Sequence, residues 1–103
     1  MFKKEKRYIT NGVNSDVDIR LQILMWGLID KLKENNSFQL DYLQVFNICK
    51  NDYRILLEHT QAVPEYKKLY EIKNMGDIEL EEKLKLFVID DVEHSTMLLA
   101  QEY

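Results

Sequence analysis

Asp16-Val17-Asp18-Ile19-Arg20-Leu21-Gln22-Ile23-Leu24-Met25-Trp26-Gly27-Leu28-Ile29-Asp30-Lys31-Leu32-Lys33-Glu34 is the stretch on which the fold turns. Wound at 100° per residue, it gathers Val17, Leu21, Leu24, Met25, Leu28, Ile29 and Leu32 into an arc of about 140°. That is the stripe of a helix lying on a sheet, so the spacing predicts one long helix over residues 16–34. Ser15 with Asp18 three residues later resembles a capping box with the shorter acid, and Asn35-Asn36-Ser37 offers residues that end helices and tolerate left-handed backbone. The same wheel leaves Ile19, Ile23 and Trp26 within about 60° of one another on the opposite side. Two readings account for them. Either the loop-rich stretch from Val63 to Leu80 covers them, or they form a contact surface for another protein or a second copy of the chain, the setting in which tryptophan is enriched.

Outward from the helix the period changes from 3.6 to 2. Arg7 to Thr10 alternates and meets the turn dipeptide Asn11-Gly12, which reads as a short first strand and a turn. Phe38, Leu40, Tyr42, Phe46 and Ile48 recur at every second position with only Gln44 interrupting, while Leu43, Val45, Asn47 and Cys49 make the other face half wet. Lys50-Asn51-Asp52 supplies a turn, and Tyr53, Ile55, Leu57 and His59 alternate after it, which predicts a hairpin. Pro64 with Tyr66, Leu69 and Tyr70 fits a short helix or an extended arm, and Asp77 is placed to cap a brief turn through Glu82. Leu84 to Ile89 is nearly continuous apolar sequence, the mark of a central strand covered on both faces, and Thr96 to Ala100 closes a second hairpin across the polar turn at 90–95. The fold class expected is α+β: one long helix on a four- to five-stranded, mainly antiparallel sheet, in the order β-α-β-β-(short helix)-β-β.

The 103 residues make one domain, with residues 1–6 expected as a mobile basic arm. Cys49 is the only cysteine, so an intrachain disulfide and the Cys/His spacings of structural zinc are both excluded, which fits a reducing, cytoplasmic setting. No signal peptide follows the basic residues, and the longest strongly apolar run, Ile23 to Ile29, falls far short of the roughly 20 residues that span a bilayer. A net charge of −4 opposes phosphate. Nucleic-acid binding therefore rests on the run Lys3, Lys4, Lys6 and Arg7 alone, whose ordinary role is a solvated arm.

Few residues suggest chemistry. Asp90, Asp91, Glu93 and His94 bring carboxylates beside a histidine, which suits a divalent cation or an acid/base pair, yet their spacing matches neither an EF-hand nor His-Glu-x-x-His, and a solvated turn contains the same residues. Cys49 and His59 would make a nucleophile and base only in a register that brings them together, and a short hairpin loop does not provide it. His59 reads instead as a strand-surface histidine. Phosphate-binding glycine loops and the nucleophile elbow are missing. Tyr42, Phe46, Tyr53 and Phe87 lack the interleaved lysine and arginine of a stacking platform for single strands, so core packing is the better account.

Three segments carry a resemblance: Asp41-Tyr42-Leu43-Gln44-Val45-Phe46; Val63-Pro64-Glu65-Tyr66-Lys67-Lys68; and Phe87-Val88-Ile89-Asp90-Asp91 with Ser95-Thr96-Met97-Leu98-Leu99-Ala100-Gln101-Glu102-Tyr103. Together they resemble a family of small Firmicute proteins grouped as a staphylococcal-type domain of unknown function, family 960. The likeness covers nearly the whole chain. It implies a bacterial cytoplasmic protein consisting of this domain, and it brings no catalytic residue and no cofactor. The functional expectation is a non-enzymatic interaction or regulatory module acting through Ile19, Ile23 and Trp26. A metal- or ligand-dependent enzyme at the Asp90–His94 turn and nucleic-acid binding by the basic arm are the alternatives.

Overall fold

In the computed structural model, which describes residues 1–73, 77–80 and 83–103, the alternating segments become a single sheet. The chain runs through a 3-10 turn (Lys4–Lys6), β1 (Arg7–Ile9), α1 (Asn11–Asp16), α2 (Ile19–Lys33), β2 (Leu43–Asn51), β3 (Arg54–Gln61), β4 (Tyr66–Ile72), β5 (Leu84–Asp90), β6 (Ser95–Leu99) and a closing 3-10 turn (Ala100–Glu102). The strand order is β1-β6-β5-β2-β3-β4. Every neighbouring pair is antiparallel except β1 with β6, which is parallel. The α+β class stands; the sheet has six strands rather than four or five, and a second, shorter helix precedes the long one.

Each departure from the expected order has a local cause. Asn11-Gly12 does not make a hairpin turn, because the Thr10 side chain accepts a hydrogen bond from Val13 N at 3.2 Å and caps α1 over those residues. Gly12 leaves room for the Glu102 carboxylate, since a Cβ there would stand 2.6 Å from Glu102 Oε2 and would displace a carboxylate that also binds Thr10 Oγ1 at 2.7 Å and Leu99 N at 2.8 Å. The long helix begins at Ile19 with Asp18 as its cap, accepting from Arg20 N at 2.9 Å, and Ser15 turns back to Asn11 O. Val17 is extended between the two helices, so the continuous helix from residue 16 is broken there.

The segment that fits either a short helix or an extended arm is β4. Tyr66 and Tyr70 lie four residues apart, a spacing that falls on one face of a strand as well as of a helix, and pairing with β3 from Gln61↔Tyr66 to Ile55↔Ile72 decides the matter. The turn expected from Asp77 to Glu82 reaches residues 81 and 82, outside the described residues; Ile78, within it, is buried in the core. β5 is central as expected, between β2 and β6.

One face of this sheet takes both helices. Leu21, Met25, Leu28 and Ile29 of α2, with Val13 and Val17, pack on Phe46, Ile48, Ile55, Leu57, Leu86, Val88, Met97 and Leu99. Phe2 belongs to the same core and has no exposed surface, whereas Lys3 to Lys6 of the segment expected as a basic arm are exposed. Its backbone is tied on both sides: Phe2 N donates to Asp90 Oδ1 at 3.0 Å, and Phe2 O accepts from Arg7 Nη2 at 2.8 Å and Lys33 Nζ at 3.2 Å. These bonds hold a φ of 54°, a left-handed value that is sterically costly for phenylalanine. Arg7 in turn forms an ion pair with Asp30 and lies 4.7 Å above the Trp26 ring. Arg7 thus acts as a strut between the first strand and α2.

Truncating Phe2 therefore removes a core ring. Phe2→Ala is expected to lower the unfolding free energy in urea by about 3 kcal/mol, whereas Tyr53→Ala, in a turn where the ring is 86% exposed, is expected to shift it by less than about 0.5 kcal/mol. Equal, small changes for both would contradict the anchored N-terminal segment.

Candidate interaction surface

Because strand side chains alternate, the sheet register sorts the residues of β2, β3, β5 and β6 into an inner set under α2 and an outer set. The inner set is not wholly apolar. Gln44, the residue that interrupts the alternation in β2, is fully buried together with His59, and Gln61 is nearly so. The three form a hydrogen-bonded chain whose polarity the backbone dictates. Gln61 Nε2 lies against two carbonyls, donating to Pro64 O at 2.8 Å and Gln39 O at 3.1 Å, so Gln61 Oε1 accepts from Asp41 N at 3.0 Å and Gln44 Nε2 at 2.8 Å. Gln44 Nε2 also donates to Asp41 O at 2.9 Å, which turns Gln44 Oε1 toward His59 Nε2 at 2.7 Å. The oxygen is an acceptor, so His59 carries its proton on Nε2, and Nδ1 faces the core without a partner among the described residues.

The imidazole is stacked on Phe46, with ring centres 4.3 Å apart, and is met edge-on by Tyr66. Burial pushes its pKa down to about 4. His59 is thus a neutral core residue rather than the surface histidine expected. Its register partner is Phe46, while Cys49 opposes Leu56 and faces the other way, so strand alternation puts the cysteine and histidine on opposite faces and removes the dyad. The signal for this network was Gln44 itself, together with the parity that places His59 and Gln61 in line with Ile55 and Leu57.

The outer set is the larger surprise. Leu43 is opposite Ile89, which is opposite Thr96; Val45 is opposite Phe87, which is opposite Leu98. Leu43, Val45, Phe87, Ile89 and Leu98 thus form two adjoining apolar rows across the three strands β2, β5 and β6. None of them is among the core residues, and all keep partial exposure. Among the described residues no helix packs on this side; Tyr8 of β1 borders it, and Tyr103 meets Phe87 edge-on at 5.6 Å. Two shallow hollows, of about 320 and 470 Å³, open on the same face, the first at Cys49, Leu56 and Leu69 and the second at Tyr42, Leu43 and Val45. β5 was expected to be covered on both faces. Among the described residues its cover is one-sided.

The residues singled out from the sequence are not brought together. At the acidic turn, Asp90 is 8% exposed and points inward to Phe2 N, Asp91 pairs with His94 Nε2 at 3.1 Å, and Glu93 is exposed. Among the described residues no three His, Cys, Asp or Glu side chains gather as a metal site would need. Phe46 is in the core, Tyr53 is in a turn, Phe87 is on the outer face and Tyr42 is exposed just before β2, so the four aromatics make no shared platform. On α2, Ile19 and Ile23 are 61% and 65% exposed, whereas Trp26 is half-buried and packed against the core beneath Arg7. Arg7 stacks on the tryptophan; of the stretch from Val63 to Leu80 expected to cover it, residues 74–76 lie outside the described residues. Asp30 shows the cost and compensation of that corner: partial burial raises its pKa, but hydrogen bonds from Arg7, with Lys4 and Lys33 nearby, outweigh this and hold the carboxyl below the usual range.

Comparison with known proteins agrees with this fold. The family described as "Staphylococcal protein of unknown function (DUF960)" matches residues 6–102. A crystal structure of a protein of unknown function from Enterococcus faecalis superposes with a TM-score of 0.78 at 22% identity, covering 100% of this chain and 98% of that one. A comparison with curated proteins returns no match. Among the described residues, no helix is long and apolar enough to cross a membrane.

The buried imidazole makes stability depend on acid. The unfolded chain takes up a proton near pH 6.5, while the folded state resists protonation until pH is near 4, so stability is full above 6.5 and falls as pH drops through that window. The loss is expected to reach about 3 kcal/mol. Unfolding by urea at a series of pH values measures it. His59→Gln, which keeps a donor to Gln44 but does not titrate, is expected to flatten this limb, and an unchanged slope in that variant would refute the assignment.

Proposed function

The chain belongs to the DUF960 family, and on that footing we propose that it is a non-enzymatic protein-interaction module whose contact ground is the outer face of the sheet. One observation carries this reading: β5 is apolar on both sides, yet only the side under α2 has a protein layer over it among the described residues. A half-covered antiparallel sheet ordinarily turns polar residues to water. Here Leu43, Val45, Phe87, Ile89 and Leu98 occupy those positions across β2, β5 and β6. A contiguous apolar patch of this kind is the usual mark of a surface that another macromolecule covers. The polar residues beside it, Asn47, Glu58 and Lys85, supply a rim with both signs of charge.

A second, smaller reading uses α2. Ile19 and Ile23 stand one turn apart with most of their surface in water, and Trp26 extends the ridge by a further turn, although its ring is largely committed to Arg7. Two isoleucines and part of an indole make a narrower contact than five side chains on three strands. At the acidic turn Asp90 is committed to the Phe2 amide and Asp91 to His94, and in the basic segment Phe2 is anchored in the core while Lys3, Lys4 and Lys6 are exposed.

The two surfaces are distinguished by a photocrosslinking amino acid placed at Phe87, Ile23 or Tyr53 in living cells. A discrete crosslinked product from position 87 alone is the expected result. Products from position 23 alone would move the site to the helix, and none from either would end the interaction reading. The double variant Phe87→Ser/Leu98→Ser is expected to abolish the product while changing stability by no more than about 1 kcal/mol.

A further inference from the structure

β4 is the last strand of the sheet, and among the described residues its outer edge has no pairing partner. It is seven residues long, Tyr66-Lys67-Lys68-Leu69-Tyr70-Glu71-Ile72, contains no proline, and is mostly exposed, Leu69 to 63%. Such an edge offers unpaired backbone N–H and C=O groups to another strand, and proteins commonly guard it with lysine. Lys67 and Lys68 look like that guard until the strand is read in both directions.

We propose that β4 pairs antiparallel with β4 of a second copy of this chain, about a two-fold axis at Leu69 perpendicular to the sheet. An antiparallel pair about such an axis puts opposing side chains on the same face, so each residue meets its mirror position. Lys67 then faces the partner's Glu71, and Glu71 faces the partner's Lys67. Lys68 faces the partner's Tyr70, Tyr66 faces the partner's Ile72, and the two Leu69 side chains meet at the axis. Opposite charge, cation with aromatic, aromatic with β-branched, and apolar with apolar are the cross-strand combinations that stabilise sheets.

The register is singled out by the same test. Moving the axis to Lys68 sets Lys68 against itself and Lys67 against Leu69. Moving it to Tyr70 sets Leu69 against Glu71 and Lys68 against Ile72. Only the Leu69 axis leaves no like charges opposed and no charge facing an aliphatic chain. The pairing leaves the ion pairs of Lys67 and Glu71 in place, and Lys68 Nζ, which lies 5.2 Å from the ring of its own Tyr70, exchanges that ring for the partner's. Lys67 Nζ lies 3.5 Å from Glu58 and Arg54 Nε lies 3.4 Å from Glu71, both loose, exposed pairs in which the lysine has further donors and the carboxylate further lone pairs.

The product is a continuous twelve-stranded sheet with both α2 helices on one side. The outer apolar faces of the two copies are then side by side, so a partner docking there meets two related patches. This inference does not rest on the proposed use of that face, and either holds without the other.

Sedimentation equilibrium on the full chain tests it. The wild type is expected to pass from the 12.4 kDa monomer to a dimer with a dissociation constant on the order of 10 μM, in the range of a small interface. Lys67→Glu leaves each β4 with acids at both mirror positions, and Glu71→Lys leaves bases at both, so each variant alone is expected to dissociate at least about tenfold more readily. An equimolar mixture of the two restores both opposite-charge contacts, and a heterodimer of wild-type affinity is expected. Circular dichroism checks that each variant is folded, and recovery in the mixture in any case requires folded chains. A wild type still monomeric at about 0.5 mM, single variants as dimeric as the wild type, or a mixture that fails to recover would each overturn the proposal. A dimer indifferent to positions 67 and 71 but lost in Phe87→Ser/Leu98→Ser would place self-association on the outer face instead.

Discussion

The packing of α2 against one face of the sheet is the contact to which the other features answer. Fifteen residues of helix span about 22 Å and cover a strip about 10 Å wide, while six strands reach about 24 Å from edge to edge. The helix cannot roof that width by itself. Phe2, Val13 and Ile78 are recruited from three other parts of the chain to complete the core, and the contacts that hold Phe2 bind β1, α2 and the end of β5 together. Arg7 is the hub of that corner, since it reaches the Phe2 carbonyl, the Asp30 carboxylate and the Trp26 ring at once. Phe2 and Arg7 are thus part of the fold, with the exposed Lys3 to Lys6 held between them.

Under the helix the core closes around a polar chain as well as an apolar cluster. Gln44, His59 and Gln61 bond to one another and to the backbone at Gln39, Asp41 and Pro64, leaving only His59 Nδ1 of the three side chains without a partner among the described residues, so the entry to β2 and the exit from β3 are joined by side chains from inside the sheet. A network of this kind is costly when incomplete and orienting when complete. Here it also fixes a tautomer and keeps an imidazole neutral, which ties the integrity of the core to the protonation of one residue.

The amphipathic stripe from Val17 to Leu32, the hairpin through Asn51 and Asp52, the central position of Leu84–Ile89 and the family resemblance were all legible in the sequence, because each depends on a local period or on a contiguous motif. The misreadings share a cause. Thr10 overrules the turn at Asn11-Gly12 through one side-chain bond, and Tyr66 with Tyr70 satisfies the helical and the extended period alike until β3 supplies a pairing partner. His59 looks like a surface residue while its neighbours in the chain are considered, and becomes a core residue once Phe46 is found opposite it. Phe2 carries no periodic signal at all. The candidate surface was half visible: Leu43 and Val45 were seen as a mixed face, but the apolar rows exist only when β2, β5 and β6 lie side by side.

By itself, then, the order of residues determined that the segments forming α2, β2, β3, β5 and β6 are helical or extended, and which side of α2 is apolar, since these follow from spacing along a chain with known periods. Only the tertiary structure decided that one face of the sheet is roofed and the other open, that Asp90 serves the Phe2 amide and that β4 stands at an edge. Those outcomes depend on which strands become neighbours and on how far a single helix can reach, and pairing between distant segments is a property that no local period encodes.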